Sequence, residues 1–304
     1  MSRVTDVSVG LRELGGVGSA TGRVLFIIPA YNEELNLRAL LDGAQAQMQR
    51  WGLLYRMIIV DDGSTDRTAA IVQQYAASMP IELVRHPRNL GVGAVFRSGI
   101  AKALELAEPQ DVVVFKEADN TSDPMVLRQM LVLIEQGNDV VLASCYAEGG
   151  GVVGTTSARR LLSAGANLLL QLVFPVRGVH TYSSFYRALR VKTLRAAVEA
   201  YQGRLVQESG FTCAAEMVIK LARLGAAIRE VPMVLRCDLT KTPSKQKRLR
   251  TILGYLKLFV REGLLSRWSG RAARRRYAEA IRATELRVVE TQQVEQEQEC
   301  GSPA

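Results

Sequence analysis

The sequence predicts an α/β protein with a mostly parallel central sheet and helices on both faces. Short β-branched runs, such as residues 24–28 and 112–115, alternate along the chain with helical patterns of ten or more residues. Polar or acidic turns follow several of these runs. Because ligands bind at the carboxyl ends of strands in such sheets, the turns indicate one shared binding crevice.

Each predicted element follows from its local pattern. Apolar runs bounded by turn formers predict strands, at residues 24–28, 57–60, 81–84, 112–115, 140–144, 179–187 and 228–235. Apolar positions at helical spacing predict helices, beginning at Asn32 or Glu33 and covering residues 68–77, 89–106, 124–136, 159–172 and 211–224. The glycine-rich residues 149–154 predict a flexible segment that can serve as a lid.

Composition limits the classes of function. A chain of 304 residues with 48% hydrophobic content can bury a substantial core, and its net charge of +9 favours an anionic partner. Four cysteines without metal-binding spacing indicate reduced thiols and a cytoplasmic protein. The apolar runs are too short for a transmembrane helix. An arginine-rich tail without an aromatic stacking platform argues against nucleic-acid binding.

The strand at residues 112–115 ends in an acidic pair. Glu117 and Asp119 are two residues apart, so on an extended backbone they face the same side and repel each other. Oxygen ligands of this kind suit Mg²⁺ or Mn²⁺, and Thr121 is a candidate third ligand. The alternative is an acidic turn closed by Asp123-Pro124. Because polar turns also follow the first two strands, the metal-site interpretation is favoured.

Several motifs together carry a family resemblance. They are Pro29-Ala-Tyr-Asn-Glu33, Val60-Asp-Asp-Gly-Ser-Thr-Asp66, Asn89-Leu-Gly-Val-Gly93, Glu117-Ala-Asp119, Gly149-Gly-Gly-Val-Val-Gly154, Ser163-Ala-Gly-Ala-Asn167, Glu230-Val-Pro232 and Ser244-Lys245. With them the chain resembles the inverting GT-A glycosyltransferases of family two, and within that family the dolichol- or polyprenyl-phosphate mannosyl- and glucosyltransferases.

The resemblance implies a GT-A domain over residues 23–245, a nucleotide-sugar donor of the GDP-mannose or UDP-glucose type, and a lipid-phosphate acceptor. It implies roles for particular residues: nucleotide contacts by Pro29, Tyr31, Glu33, Val60, Asp62 and Ala118, metal binding by Glu117, Asp119 and Thr121, and diphosphate contacts by Arg187 and Lys245. His180, which is not part of the family pattern, is a separate candidate for contact with an acceptor hydroxyl. Glu117 and Asp119 would then be the catalytic carboxylates.

Four positions depart from the family pattern, namely Glu117, Cys145, His180 and Asp238. They indicate a divergent branch with another sugar, another acceptor or reduced activity. The alternative function is therefore a degenerate transferase fold that acts as a non-catalytic binding or scaffold subunit. For His86 and His180, an ordinary surface or core role is favoured over catalysis.

The ends of the chain are interpreted separately. Residues 1–22 are predicted to be a flexible leader, and residues 277–304 a polar tail that is disordered or a fraying helix. Residues 246–276 combine an apolar stripe with Lys257, Arg261 and an arginine cluster. This pattern predicts a peripheral membrane helix, in which these cations meet lipid phosphates, or a helix packed on the domain with a solvated basic flank.

Overall fold

The computed structural model of the protein describes residues 22–241, 248–265 and 269–300. In these residues a seven-stranded, mostly parallel sheet is flanked by helices, which confirms the predicted α/β class. The strands are β1 Val24–Ala30, β2 Tyr55–Asp61, β3 Ile81–Arg85, β4 Val112–Phe115, β5 Val140–Ser144, β6 Gly151–Val153, β7 Arg187–Arg190, β8 Ile228–Pro232 and β9 Val234–Arg236.

The helices connect these strands and continue to the end of the described chain. They are α1 Glu34–Trp51, α2 Thr68–Ala76, α3 Val92–Leu106, α4 Met125–Glu135, α5 Ser157–Val173, α6 Val191–Ala200, α7 Cys213–Leu224, α8 Arg248–Leu258 and α9 Ser269–Cys300, with a π-helical turn at Phe259–Leu265. Among the described residues, no helix is both long enough and apolar enough to cross a bilayer.

The main sheet has the strand order β3-β2-β1-β4-β7-β5-β8. Strand β7 is antiparallel to both of its neighbours, whereas the other pairings in this sheet are parallel. The chain builds outward from β1 to β3 and then returns to place β4 on the other side of β1. The switch point, where a parallel sheet opens a ligand crevice, therefore lies between β1 and β4.

The two faces of the sheet carry separate apolar layers. Phe96 of α3 packs on Phe115 of β4 on one face, with ring centroids 4.7 Å apart. On the other face, Val114 joins Leu37 of α1 and Met130 of α4. Since adjacent residues of β4 bury their side chains on opposite faces, this strand is apolar throughout its length.

The strand predicted at residues 179–187 is wrong in its extent, because β7 begins only at Arg187. The preceding backbone N–H groups are taken by side chains instead of by a neighbouring strand. Those of His180 and Thr181 donate to Glu230, and that of Tyr182 donates to Asn167. These bonds hold the segment as an ordered loop at the edge of the sheet.

The strand predicted at residues 228–235 is divided into β8 and β9, which belong to different sheets. Strand β9 pairs with β6 in a separate two-stranded sheet. Strand β6 lies within the glycine-rich segment predicted to be flexible, so this pairing fixes part of that segment against residues 234–236.

The C-terminal helices pack on the same body as the sheet. Leu258 of α8 and Ala273 and Tyr277 of α9 are buried in the core, and Arg276 donates to the carbonyl of Ala200 in α6. Of the two alternatives for the tail, the structure shows a helix as far as Cys300. The predicted leader at residues 1–21, together with Ser244, Lys245 and Trp268, lies outside the described residues.

The prediction that Arg261 faces lipid phosphates is wrong. Its guanidinium lies 2.8 Å from Glu208, 2.7 Å from Glu216 and 3.3 Å from Glu262. Lys220 also pairs with Glu216 at 2.6 Å, and Arg223 pairs with Glu262. This buried ionic cluster fastens the π-helical turn to α7, because separating the partners would leave charges unpaired in the protein interior.

Candidate active site

The candidate active site lies at the carboxyl ends of β1, β2 and β4. Ile27 of β1 is in register with Phe115 of β4, so Pro29 near the end of β1 and Glu117 just after β4 lie at the same level. The end of β2 joins them, because the N–H of Asp62 donates to the carbonyl of Ala30 at 2.8 Å. Three of the predicted polar turns thus border the β1–β4 switch point.

The acidic pair Glu117 and Asp119 is half-buried in this crevice. Burial and the nearby charge of Asp119 raise the pKa of Glu117 from 4.5 to about 7. Thr121 donates to Oδ1 of Asp119 from both its N–H, at 3.1 Å, and its hydroxyl, at 2.7 Å. The Ser122 hydroxyl lies 3.5 Å from Oε2 of Glu117. Thr121 therefore orients Asp119.

This pair fits a divalent ion chemically. Because burial and the nearby charge of Asp119 both disfavour the ionised form of Glu117, a cation between the two carboxylates would favour that form. Among the residues that the structure describes, no group of three or more His, Cys, Asp or Glu side chains is arranged to hold a metal. The remaining ligands would come from a substrate and water, as is common for Mg²⁺ and Mn²⁺.

Two buried cationic side chains, Lys116 and Arg187, lie near the acidic pair. Lys116 is only 8% exposed, and burial lowers its pKa while Glu117, Asp119 and Asp123 act in the opposite direction. Arg187 is fully buried, and burial lowers its pKa to about 10. The charges of both side chains oppose the rise in the pKa of Glu117. Lys116 was not predicted as a site residue, although a lysine directly after a buried apolar strand indicates a buried charge.

Asp62 connects the β2 end to the loop before α3. Its carboxylate accepts from the N–H groups of Leu90 and Gly91, both at 2.9 Å, and lies 2.7 Å from Nδ1 of His86. The other ring nitrogen of His86 lies 2.9 Å from the Ser98 hydroxyl. His86 is buried and both of its ring nitrogens have partners, as in an ordinary core histidine. Asp62 holds the loop before α3 at the edge of the crevice, and its contact with a nucleotide stays a prediction.

A second network joins the β1 and β4 turns. Oε2 of the buried Glu33 accepts from the Asn36 side chain at 2.6 Å, and the carbonyl of Asn36 accepts from Asn120 at 3.0 Å. Oδ1 of Asn36 also accepts from the N–H of Lys241. Asn120 has a positive φ of 60°, which asparagine tolerates better than most residues. Asn36 and Asn120 were not predicted, and their contacts depend on tertiary structure.

The other residues predicted to contact the nucleotide differ in accessibility. Pro29 and Tyr31 are half-buried at the β1 end, in positions that a ligand in the crevice can reach. The side chains of Val60 and Ala118 are buried in the core, at 0% and 3% exposure. The nucleotide contacts of all four residues stay predictions.

Of the residues predicted to contact the diphosphate or acceptor, Arg187 and His180 belong to the described part of the chain, and they lie in different surroundings. Arg187 donates to the backbone carbonyls of Ala214 and Ser184, so its side chain is committed to the protein interior. His180 is 55% exposed at the sheet edge, where its Nδ1 lies 3.0 Å from Glu230. The predicted contacts of Arg187 and His180 with a diphosphate or acceptor therefore stay predictions.

A cavity of about 630 Å³ opens beside the amino-terminal end of α5. It is lined by residues of the β5 end, β6 and α5, namely Cys145, Tyr146, Val152, Ser157, Ala158, Arg160, Leu161 and Ala164. Burial raises the pKa of the Cys145 thiol to about 11, so this position contributes a neutral group. Arg160 brings a cation to an otherwise largely apolar wall.

An exposed apolar surface continues from this cavity along α5. It comprises leucine and valine side chains that are 44–76% exposed, at Leu161, Leu162, Leu168, Leu169, Leu172 and Val173. Helix α8 exposes Ile252, Leu253 and Leu256, and beyond it Phe259 stacks on Phe174 just after α5. The helix at residues 159–172 was predicted from its apolar spacing, but its exposed surface was not, because the partners of a helix cannot be known from its own sequence.

Comparisons with known proteins agree with this architecture. The family model for glycosyl transferase family 2 matches residues 25–197, which is more than half of the chain. A dolichol-phosphate mannosyltransferase of Pyrococcus furiosus is 28% identical over 82% of this chain. The match spans 65% of that relative's length, just under two thirds. An undecaprenyl-phosphate mannosyltransferase of Micrococcus luteus is 29% identical over 83% of this chain and 98% of its own.

A solved structure supports the fold. Glucosyl-3-phosphoglycerate synthase from Mycobacterium tuberculosis, in complex with Mn²⁺, UDP and phosphoglyceric acid, superposes with a TM-score of 0.56 at 19% identity. The superposition covers 80% of this chain and 79% of that one. Together with the sheet order and the polar strand ends, these findings define a GT-A fold, and the chain belongs to glycosyl transferase family 2.

Proposed function

We propose that the protein transfers a sugar from a nucleotide-diphosphate donor to a polyprenyl or dolichyl phosphate, with inversion at the sugar carbon and with a divalent ion. The acidic pair at the β1–β4 switch point carries this proposal, and the cavity at α5, with the exposed apolar surface of that helix, supports a lipid acceptor. The names of the relatives from Pyrococcus furiosus and Micrococcus luteus support a lipid-phosphate acceptor and a mannosyl donor. A GDP-mannose or UDP-glucose type of donor fits both.

The donor would bind over the carboxyl ends of β1 and β2. Tyr31 and Pro29 border this part of the crevice. The hydrogen bonds of Asp62 and Glu33 fix the backbone of the turns around it. Glu117 and Asp119 would hold Mg²⁺ or Mn²⁺, which neutralises the diphosphate leaving group when it is bound. Thr121 keeps Asp119 oriented toward that position.

The acceptor would enter through the α5 cavity. The positive end of the α5 dipole favours an anion, although the Thr156 hydroxyl already accepts from the N–H of Arg159. Arg160 adds a full positive charge to the same cavity wall. A lipid phosphate is already ionised at neutral pH. It therefore needs no strong general base, which agrees with the placement of His86 in the core and of His180 on the surface.

The apolar surface of α5 and α8 would rest on the membrane from which this lipid emerges. Burying an exposed leucine in the acyl boundary stabilises the bound state by roughly 1.5–3 kcal/mol. The exposed cation Lys257 borders the α8 part of this surface and would meet anionic headgroups. The main membrane contact is therefore α5 in this proposal, and not the basic cluster predicted from the sequence.

The donor half is tested by thermal shift with GDP, UDP, GDP-mannose and UDP-glucose, each with and without Mn²⁺. We expect one nucleotide to raise the melting temperature only when Mn²⁺ is present, and the matching sugar nucleotide to release its diphosphate when polyprenyl phosphate is added. Metal-dependent binding without product release would favour the non-catalytic scaffold. A complete lack of nucleotide binding would contradict the proposal.

The acceptor half is tested by vesicle sedimentation of the double variant Leu161→Ser/Leu172→Ser. These leucines are 76% and 72% exposed, so we expect an intact fold and at least about tenfold weaker binding to anionic vesicles. Leu54→Ser is the matched control, since Leu54 is 73% exposed and lies between α1 and β2, outside the α5 and α8 surface. Point variants are required because truncation after residue 244 would remove Leu258 and Tyr277 from the core. Equal sedimentation of the double variant and the wild type would exclude this surface.

A further inference from the structure

Lys116 is a buried lysine at the end of the strand that carries the acidic pair. It continues the pairing of β4 with β1, because its N–H donates to the carbonyl of Ile27 at 3.1 Å. Its side chain is 8% exposed, and Nζ lies 4.5 Å above the ring of Tyr186, which is itself buried. An ammonium in this position loses most of its hydration, so the fold must compensate its charge locally.

The compensation comes from the loop that holds the acidic pair. Nζ of Lys116 donates to the carbonyl of Ser122 at 3.3 Å, and the Ser122 hydroxyl lies 3.5 Å from Glu117. Ser122 thus connects the ammonium to the first acidic side chain. Thr121 and Ser122 are 5% and 6% exposed, so the part of the loop that returns beneath the acidic pair is packed against the protein.

The charges of Lys116 and of the acidic loop also favour this arrangement. Ser122 contacts both the ammonium of Lys116 and the carboxylate of Glu117, and Glu117 and Asp119 follow Lys116 closely in the chain, so the positive charge lies among negative charges that it attracts. An apolar side chain of the same length would fill this site without any cost of desolvation. A lysine here therefore balances the acidic loop in addition to filling space.

We infer that Lys116 is a built-in counter-cation of the Glu117–Asp119 pair, a positioning residue that holds the acidic loop in shape and weakens the affinity of the pair for a divalent ion. The first part depends only on the metal-free protein. The second part rests on the proposed metal-assisted function, since the positive charge of Lys116 opposes the arrival of another cation.

The first part is tested by a double-mutant cycle without metal. Lys116→Met keeps the length and removes the charge, and it is made in the wild type and in Glu117→Gln/Asp119→Asn. We expect it to lower the melting temperature by several degrees in the wild type and by less than half as much in the neutralised background. Lys102→Met, which removes a surface lysine paired with Glu105, should give equal and small shifts in both.

Equal effects of Lys116→Met in the two backgrounds would overturn the inference. If Lys116→Met alone does not fold, folding of the triple variant supports the inference, and failure of the triple variant to fold contradicts it. Lys116→Arg retains the charge and should show the coupling of the wild type, which a role limited to packing would not produce.

The second part is tested by titrating Mn²⁺ and detecting the free ion by electron paramagnetic resonance. We expect Lys116→Met to lower the Kd for Mn²⁺ about three- to tenfold, with Lys116→Arg and Lys102→Met close to the wild type. An unchanged or higher Kd would overturn this part. If the wild type binds no Mn²⁺ while the cycle shows coupling, the proposed metal-dependent function fails and the counter-cation role stands.

Discussion

The carboxylate of Asp62 and the acidic pair Glu117 and Asp119 lie at the same edge of the sheet but in different electrostatic surroundings. Asp62 accepts from two backbone N–H groups and lies against His86, so its charge is satisfied within the protein. Glu117 and Asp119 disfavour each other's charge, and their contacts come mainly from hydroxyl groups of their own loop. Asp62 therefore contributes to the stability of the fold, whereas Glu117 and Asp119 keep negative charge that a bound cation can neutralise.

The surroundings of the two regions show the same difference. The loop bound by Asp62 leads into α3, where a Cβ on Gly93 would lie 1.8 Å from the carbonyl oxygen of Glu208. The backbone there is packed too closely for any side chain. Around Glu117 the protein places a buried lysine and a buried arginine, which moderate the charge without closing the crevice.

The largest effect is expected from Asp62→Ala, which should destabilise the fold by about 3 kcal/mol. The substitution leaves the N–H groups of Leu90 and Gly91 and the ring of His86 without their buried acceptor. Urea unfolding measures this change, with Asp42→Ala as control because Asp42 accepts only from the exposed Tyr75 hydroxyl among its described bonds. Normal stability with weaker nucleotide binding would make Asp62 a ligand contact instead of framework.

Asp119→Ala should have the converse effect, an intact fold with at least about tenfold weaker metal-dependent nucleotide binding. The half-buried side chain adds little to stability, and its removal relieves the repulsion of Glu117. Calorimetric titration of the nucleotide in Mn²⁺ gives the affinity, and Asp42→Ala again serves as the control. If nucleotide affinity in Mn²⁺ is unchanged, the acidic pair is only a turn.

A third effect concerns the pH dependence of stability and the variant Glu117→Gln. In the folded protein, burial and Asp119 raise the pKa of Glu117 from 4.5 to about 7, so folding favours the protonated form. This contribution to stability is complete below about pH 4.5 and is lost as the pH rises through 7. The metal-free wild type should therefore lose stability relative to Glu117→Gln between pH 5 and 8. Melting curves across this range check the trend, and parallel curves would contradict it.

The sequence was sufficient to predict the general fold and the position of the crevice. Strands such as β2 and β4 are short β-branched runs that end in turns, and the strand-end rule then brings Glu33, Asp62 and Glu117 to one edge. These features are local, so a single sequence reveals them. The metal and nucleotide roles of these residues stay predictions.

Features that depend on distant contacts were not predictable in the same way. The start of β7 at Arg187 depends on Glu230 and Asn167, whose side chains bind the backbone of the preceding loop. The ionic partners of Arg261 come from α7 and from the loop before it. Since no local pattern encodes such pairings, helical periodicity alone suggested that Arg261 faced outward.

The insertion of the antiparallel strand β7 between β4 and β5 also bears on how the protein is made. Both strands that β5 pairs with, β7 and β8, come later in the chain. After β5 leaves the ribosome, residues 145–186 must be synthesised before its first partner appears, which takes about 2–8 s at 5–20 residues per second. Throughout that interval an apolar strand of sequence VVLAS has no native strand partner. Slower translation of this stretch would prolong the exposure, so codon choice between β5 and β7 is expected to influence the yield of soluble protein.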